Sequence, residues 1–112
     1  MAKPTHAERL RHMLEAIEEI ELHTNELTFD QFNGDRFLRF GIERCLEIIS
    51  EASRHIPQAA KDRHPQIPWQ RVADIANRIR HAYHAVDSQI VWEIVSHELA
   101  ALKAAVQAMM TE

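Results

Sequence analysis

The sequence predicts an all-α protein, an antiparallel four-helix bundle with one or two extra short helical turns. Two observations support this fold class: apolar residues recur at three- and four-residue steps, and no strand-like alternation or internal repeat is present. Helix breakers are few, because the 112 residues include only two glycines and four prolines. A chain of this length has room for one hydrophobic core, so residues 1–112 are expected to form a single domain.

The first two helices are predicted over the N-terminal half. Thr5 and Glu8 form a capping-box pattern that begins a helix running to about residue 26. The segment 27–35 contains an Asn-Gly turn signal and separates this helix from the next. A second helix is predicted over about 35–55, because its apolar residues share one stripe and Pro57 follows it.

The other two helices follow the one long connection, residues 57–68, which is expected to keep a short helical turn. The third is predicted over about 69–85, after a proline at a favoured helix-start position. The fourth is expected to begin with Asp87 or Ser88 as its N-cap and to continue through Met109.

Charge is distributed unevenly along the chain. The formal net charge is -4, but residues 54–84 contain six lysines and arginines against two aspartates, which gives this segment +4 and the rest -8. Arginines outnumber lysines ten to three, and their planar guanidinium groups bind phosphate in a bidentate manner. A local basic segment on an acidic chain favours a targeted anion site over a broad nucleic-acid surface.

Composition disfavours several other classes. No apolar run approaches the roughly 20 residues of a membrane span, and the N-terminal residues lack the apolar stretch of a signal peptide. The single cysteine, Cys45, is typical of a reducing compartment, so we expect a cytoplasmic protein without membrane association. The eight histidines show no convergent ligand spacing, and we expect neither a metal site nor a cofactor.

The third predicted helix separates an apolar face from a polar face. At about 100° per residue, one arc contains the core-facing residues Val72, Ile75, Ala76, Ile79, Tyr83 and Val86. The opposite stripe, at i, i+3, i+4 and i+7, contains Asn77, Arg80, His81 and His84. Tyr83 lies at the edge between the two faces, where its hydroxyl reaches the stripe, and Arg78 flanks His81.

This stripe contains the groups needed to cleave RNA. His81 is a proton-transfer group, Arg80 stabilises a developing oxyanion, and Tyr83 donates a further hydrogen bond. Together they suit cleavage of a phosphodiester through attack by the neighbouring 2′-hydroxyl, a reaction that requires no metal. The alternative interpretation is a solvated helix face whose arginines pair with nearby acidic residues.

A second polar region, at the end of the second predicted helix, contains Ser50, Glu51, Ser53 and Arg54. We expect it beside the third helix, with Glu51 orienting an arginine or His81 and Arg54 adding a phosphate contact. An intrahelical ion pair at a helix end is the alternative. Trp69 and Trp92 are interpreted as packing or dimer residues, with base stacking by Trp69 as the other interpretation.

Nearly the whole chain resembles the HepT-like proteins of the HEPN superfamily. The similar segments are FLRFGIERCLEIISEASRHIP on the second helix, HPQIPWQRVADIANRIRHAYHAVD on the third, and IVWEIV at the start of the last. The short His-x-Tyr pattern becomes specific because it occurs in register with these segments. The resemblance therefore includes both polar regions described above.

The motif of this family is an arginine, four to six residues, and then His-x-Tyr. His81 and Tyr83 match its second half, and Asn77 matches the asparagine that often follows the arginine. The arginine itself is absent. The three positions where it would stand hold Asp74, Ile75 and Ala76. Arg80, on the same stripe as the histidine, is the better substitute, and Arg78 is the second candidate.

The resemblance implies an activity and partners. Family members are helical homodimers whose motif helices meet near the two-fold axis, and active members are metal-independent endoribonucleases. They are toxins of MNT–HEPN toxin–antitoxin pairs, in which a small nucleotidyltransferase antitoxin binds the toxin and in some systems transfers AMP to the motif tyrosine, here Tyr83. The alternative is a non-catalytic helical module that binds a nucleotidyltransferase or a nucleotide.

Two sets of site residues follow from the stripe and the resemblance together. The expected catalytic residues are Asn77, Arg80, His81 and Tyr83. The expected substrate-binding residues are Arg54, Arg78 and His84. The expected substrate is RNA.

Overall fold

The computed structural model describes residues 2–80 and 85–112, and the side chains of residues 85–87 lie outside this description. The residues so described form eight α-helices and no β-strand. In chain order these are α1 (His6–Thr24), α2 (Phe29–Gly34), α3 (Arg36–Arg54), α4 (Gln58–Asp62), α5 (Trp69–Ala73), α6 (Ile75–Ile79), α7 (Ala85–His97) and α8 (Leu99–Met109).

The helices form the predicted all-α bundle. The helix α1 packs along α3 and also contacts α8, while α3 contacts α5 and α6. The helix α7 contacts α2, α6 and α8. The third predicted helix therefore corresponds to α5 and α6, and the fourth to α7 and α8. The short helical turn expected in the connection 57–68 is α4, whereas α2 lies in a segment that was predicted as a break between helices.

One cluster of buried apolar side chains lies between these helices. Its largest fully buried members are Leu10, Met13, Ile17, Ile20, Phe32, Leu46, Ile49, Ile75, Val91, Ile94, Leu99 and Val106. Burial of one such side chain contributes roughly 1.5–3 kcal/mol to folding, so this core, rather than helix propensity, holds the short helices in place.

The start of α1 confirms the predicted capping box. The Thr5 hydroxyl accepts the Glu8 amide (3.1 Å), and the Glu8 carboxylate accepts the Thr5 amide (3.0 Å). The segment 27–35 separates α1 from α3 as expected, but most of it is helical. The helix α2 has a capping box of its own, between Thr28 and Gln31, and its Phe32 is fully buried.

The prediction of one continuous third helix over residues 69–85 is wrong in the described part. The helix is interrupted at Asp74 (φ -91°, ψ 1°), which divides α5 from α6. At this break the Ala73 carbonyl accepts hydrogen bonds from Ser50 and Arg54 of α3. A tertiary contact therefore replaces a helical one.

The predicted N-cap of the fourth helix is also wrong. The helix α7 already begins at Ala85, so both Asp87 and Ser88 lie within it. The Ser88 hydroxyl donates to the side chain of Asn33 (2.6 Å), which joins α7 to α2 instead of capping a helix. A second interruption, at Glu98, divides the fourth helix into α7 and α8.

The two tryptophans pack in different parts of the bundle, as the packing interpretation expects. The Trp92 ring lies 5.0 Å from Phe32 and 6.3 Å from Phe29, measured between ring centroids, and joins α7 to α2. The Trp69 indole N–H donates to the backbone carbonyl of His64 (3.0 Å). That bond holds the start of α5 against the preceding connection.

Candidate functional site

A groove of about 480 Å³ lies between α3 and α6. The residues that line it are Glu43, Arg44, Glu47, Ser50, Glu51, Arg54, Ala76, Ile79 and Arg80. The two polar regions recognised in the sequence therefore meet on one surface, because α3 supplies one wall and α6 the other.

Arg80 and Asn77 lie on the exposed side of α6, as the helical periodicity predicted. Arg80 directly follows α6, is exposed, and forms no ion pair with any residue that the structure describes. The Asn77 amide donates to the Asp74 carboxylate (2.8 Å). Ile75 and Ile79 are buried as predicted. Ala76 was also expected in the core, but it is only partly buried and lines the groove, because it lies beside Ser50 of α3.

Three expected site residues, His81, Tyr83 and His84, lie outside the described residues. The same holds for the expected core positions of Tyr83 and Val86. Because Arg80 lines the groove, His81 follows a groove residue directly in sequence. The roles of the histidines and the tyrosine stay predictions from the motif.

Arg54 of α3 lies at the break between α5 and α6. Its Nε and Nη2 atoms both donate to the Ala73 carbonyl, at 3.2 and 3.0 Å. Its side chain remains exposed and lines the groove with Arg80. The expected placement of Arg54 beside the third helix is confirmed, and the groove therefore contains guanidinium groups from two helices.

Arg78 has a different environment from Arg80. Its two terminal nitrogens donate to the two oxygens of Glu98, at 3.0 and 2.8 Å, and only 16% of its side chain is exposed. Hydrogen bonding to Glu98 raises the pKa of Arg78, and the same bond lowers the pKa of Glu98. This geometry matches the ion-pair alternative for Arg78, and its substrate contact stays a prediction.

Sequence reasoning identified Glu51 but missed the other two carboxylates of the groove, Glu43 and Glu47. Glu43 and Glu47 precede Ser50 and Arg54 at steps of four, three and four residues, so all of them occupy one face of α3. That spacing is the signal that identifies them. Burial raises the pKa of Glu43, with the Glu47 charge adding to the rise and Arg39 opposing it.

Glu51 pairs within its own helix. Its carboxylate contacts Nε2 of His55 at 3.0 Å, and this hydrogen bond lowers the pKa of Glu51. The intrahelical pair is therefore present, and the expected contact of Glu51 with His81 lies outside the described residues. Within the described ranges, no arginine or histidine of α5 or α6 forms an ion pair with this carboxylate.

Two further findings concern metal binding and membrane spanning in the described residues. No group of three or more histidine, cysteine, aspartate or glutamate side chains in residues 2–80 and 88–112 is arranged to hold a metal ion. None of the helices in the described part of the chain is both long and apolar enough to span a bilayer.

Comparison with known proteins assigns the chain to a family. The family model described as "HepT-like: Ribonuclease HepT-like" matches residues 13–109 of this chain. The match includes α3, α5 and α6, and therefore both walls of the groove. No solved structure matches the chain significantly.

Individual relatives have names of the same kind. A protein of Thermococcus cleftensis named "Probable ribonuclease HepT" is 41% identical over 101 residues, which cover 90% of this chain and 92% of that protein. A Methanocaldococcus jannaschii protein named "Gamma-glutamylcyclotransferase and putative RNase" is 34% identical over 92% of this chain but only 46% of its own length. Another from that organism, named "Putative RNase", is 32% identical over 78% of this chain and 72% of its own length.

Proposed function

The chain belongs to the HepT-like ribonuclease family, and on this premise we propose that it is a metal-independent endoribonuclease. The observation that supports this activity is the groove that both Arg80 of the motif segment and Arg54 of α3 line. Guanidinium groups on two walls suit a phosphodiester that lies between them. His81, the next residue of the chain, brings an imidazole to the same segment.

The proposed reaction is a transesterification within the RNA. The 2′-oxygen attacks the adjacent phosphorus, the bond from phosphorus to the 5′-oxygen breaks, and the products carry a 2′,3′-cyclic phosphate and a 5′-hydroxyl. His81 removes the proton of the 2′-hydroxyl or protonates the leaving 5′-oxygen. Arg80 stabilises the charge that gathers on the phosphate, while Tyr83 and Asn77 donate to the substrate.

The other basic residues of the expected site, Arg54, Arg78 and His84, are proposed to bind the RNA next to the cleaved bond. Arg54 and His84 contact flanking phosphates, in keeping with the position of Arg54 at the groove. Arg78 is the second candidate for a phosphate contact, but its two nitrogens are already bound to Glu98. Arg80 is therefore the better substitute for the motif arginine, whose position is occupied by Ala76.

The test of this activity is cleavage of an RNA oligonucleotide by the purified full-length protein. We expect wild-type cleavage, and a loss of about 10²–10³-fold in kcat for Arg80→Ala and of about 10²-fold or more for His81→Ala. Arg71→Ala is the matched control, because Arg71 is an exposed arginine of α5 that does not line the groove.

A second substrate tests whether the 2′-hydroxyl is the nucleophile. An oligonucleotide with one 2′-deoxyribose at the cleaved position should remain intact there, since the nucleophile is missing. Wild-type protein that leaves every RNA intact, or a His81→Ala variant as active as wild type, would contradict the proposed activity.

We further propose that the ribonuclease is a toxin held inactive by a nucleotidyltransferase antitoxin. In this proposal the chain is a cytoplasmic homodimer, and the antitoxin transfers AMP to Tyr83. The modification adds bulk and negative charge beside Arg80, which repels the phosphates of RNA. If the chain is a toxin, expression of wild type should arrest growth and expression of His81→Ala should not. If Tyr83 is modified, incubation with ATP and the nucleotidyltransferase should increase the mass of the peptide that contains Tyr83 and of no other peptide.

A second candidate function is a non-catalytic helical module that binds the nucleotidyltransferase or a nucleotide. Two observations favour it: Ala76 occupies the position of the motif arginine, and three carboxylates, Glu43, Glu47 and Glu51, line the groove beside the cations. This candidate predicts partner binding with no RNA cleavage and no growth arrest, so the experiments above separate it from the ribonuclease.

A further inference from the structure

Ser50 of α3 connects to both sides of the break between α5 and α6. Only 1% of the residue is exposed. Its hydroxyl donates to the carbonyl of Ala73, the last residue of α5, at 2.8 Å. The same oxygen accepts from the amide of Ala76, in the first turn of α6, at 3.4 Å. One buried hydroxyl therefore satisfies two backbone groups that the break removes from regular helical pairing.

The direction of α6 determines where Arg80 lies. The helix spans only Ile75–Ile79, and Arg80 follows it immediately. Isolated helices shorter than about 12 residues are marginal in water, so α6 depends on contacts with its neighbours for its position. Ser50 supplies such a contact at the start of α6, and Arg80 enters the groove at its end.

We propose that Ser50 is a positioning residue for RNA cleavage, which holds α6 so that Arg80 points into the groove beside the scissile phosphate. The inference rests on the proposed function for the importance of Arg80. The Ser50 hydroxyl is already used by two backbone groups, so it acts through α6 and not on the substrate.

Ser53 provides a matched control on the same helix. It is also fully buried, and its hydroxyl donates to the Ser50 carbonyl at 2.7 Å, within α3. Ser50→Ala and Ser53→Ala each remove one buried hydroxyl from α3. The Ser50 hydroxyl forms hydrogen bonds with α5 and α6, whereas the hydrogen bond of Ser53 stays within α3. A difference in kcat or in hydrogen exchange between the two variants therefore reports on the contact of Ser50 with α5 and α6.

The experiment compares steady-state RNA cleavage by wild type and both variants, well below the unfolding midpoint of each. Misplacement of a charge-stabilising group affects the transition state more than substrate binding. We expect Ser50→Ala to lower kcat about tenfold or more and to leave KM within about twofold, and Ser53→Ala to leave both within about twofold. Ser50→Cys, which replaces the hydroxyl by a slightly larger thiol that is a weak donor and acceptor, should also lower kcat.

Amide hydrogen exchange separates this proposal from the proposed function. We expect faster exchange at residues 76–79 in Ser50→Ala than in Ser53→Ala, whether or not the protein cleaves RNA. Equal exchange and equal kcat in the two variants would overturn the positioning role. Wild-type protein without ribonuclease activity would overturn the proposed function, and the exchange comparison alone would then decide whether Ser50 holds α6.

Discussion

At Ala76, the side chain that lines the groove is a single methyl group. By the motif, Ala76 is one of the three positions where the arginine would stand, whereas this chain has Arg80 one helical turn further along. Both positions face the same groove, because residues four apart lie on one side of a helix. We therefore propose that Arg80 takes the place of the motif arginine in this groove.

This placement predicts a rescue. The double variant Ala76→Arg, Arg80→Ala should recover most of the RNA cleavage lost in Arg80→Ala, since it returns a guanidinium to the groove. Cleavage rates of the wild type, the single variants and the double variant measure the effect. Ala76→Lys with Arg80→Ala is the control, because an ammonium group has the charge but not the planar fork, and it should recover less. Equal inactivity of the arginine and lysine double variants would contradict the relocation.

Arg78 offers a prediction about stability. Its bidentate contact with Glu98 is mostly shielded from solvent, and hydrogen bonds to charged groups contribute about 1.5–3 kcal/mol. Arg78→Ala should therefore lower the free energy of unfolding by about 2 kcal/mol in urea titrations. Arg71→Ala should cost less than about 1 kcal/mol, because Arg71 contacts the same carboxylate at 3.5 Å and is 60% exposed. Equal losses in the two variants would contradict this assignment.

The roles of individual residues were partly predictable from the sequence. The rotation of about 100° per residue in a helix predicted that Asn77 and Arg80 are exposed, and this rotation holds even in the short helix α6. It did not identify the partner of Arg78, since Glu98 lies 20 residues away and only the fold brings the two together. Glu43 and Glu47 were missed because the polar region recognised on the second helix was taken to begin only at Ser50.

At the scale of the helices, both interruptions coincide with contacts to α3 or α6. The third predicted helix is interrupted at Asp74, where Ser50 and Arg54 bind the Ala73 carbonyl. The fourth is interrupted at Glu98, which receives Arg78. Local sequence contains no Pro or Gly at either point, so the apolar pattern predicts continuous helices. These breaks depend on tertiary contacts, which a local pattern does not record.

Local signals were sufficient elsewhere. The capping box at Thr5 fixed the start of α1, and the second helix was predicted close to its observed range of Arg36–Arg54. The missed helix α2 had a readable signal as well, because Thr28 and Gln31 have capping-box spacing. The Asn-Gly pair at the end of α2 is typical of a turn, and it led to the prediction of a break instead of a helix.

The junction between α7 and α8 predicts a dependence of stability on pH. Hydrogen bonding to Arg78 lowers the pKa of Glu98 below its ordinary value of 4.5. The native state therefore favours the ionised carboxylate, and this stabilisation is present above pH 4.5 and lost as pH falls through the lower native pKa. We expect wild type to lose more stability than Glu98→Gln between about pH 5 and pH 3. Parallel curves of unfolding free energy against pH would contradict the assignment.

At the scale of the whole molecule, the family resemblance predicts a homodimer. Light scattering at micromolar concentration should give twice the 13.0 kDa of one chain. If motif helices from both chains line one cleft, the two sites belong to one catalytic unit. Mixing His81→Ala with wild-type chains should then lower activity by more than the mutant fraction alone. A monomeric mass, or strictly proportional activity in the mixture, would contradict the shared cleft.

The fold class was predictable at this scale, whereas the site was predictable only in part: the end of the second helix was expected beside the third, but the groove between them was not. An all-α bundle follows from apolar periodicity, which every helix expresses locally. The groove requires that the end of α3 and the end of α6 meet, and periodicity gives no information on such a meeting. The resemblance supplied this information indirectly, because its similar segments included both helices.

The packing of the tryptophans gives the molecule two separate optical reporters. Trp92 lies among the phenyl rings of α2, whereas Trp69 lies at the start of α5, on the helix that leads to the groove. In Trp92→Phe the remaining indole reports on the α5 end, and in Trp69→Phe it reports on the aromatic cluster. Emission spectra of the two single-tryptophan proteins therefore distinguish a local opening near the groove from collapse of the entire bundle.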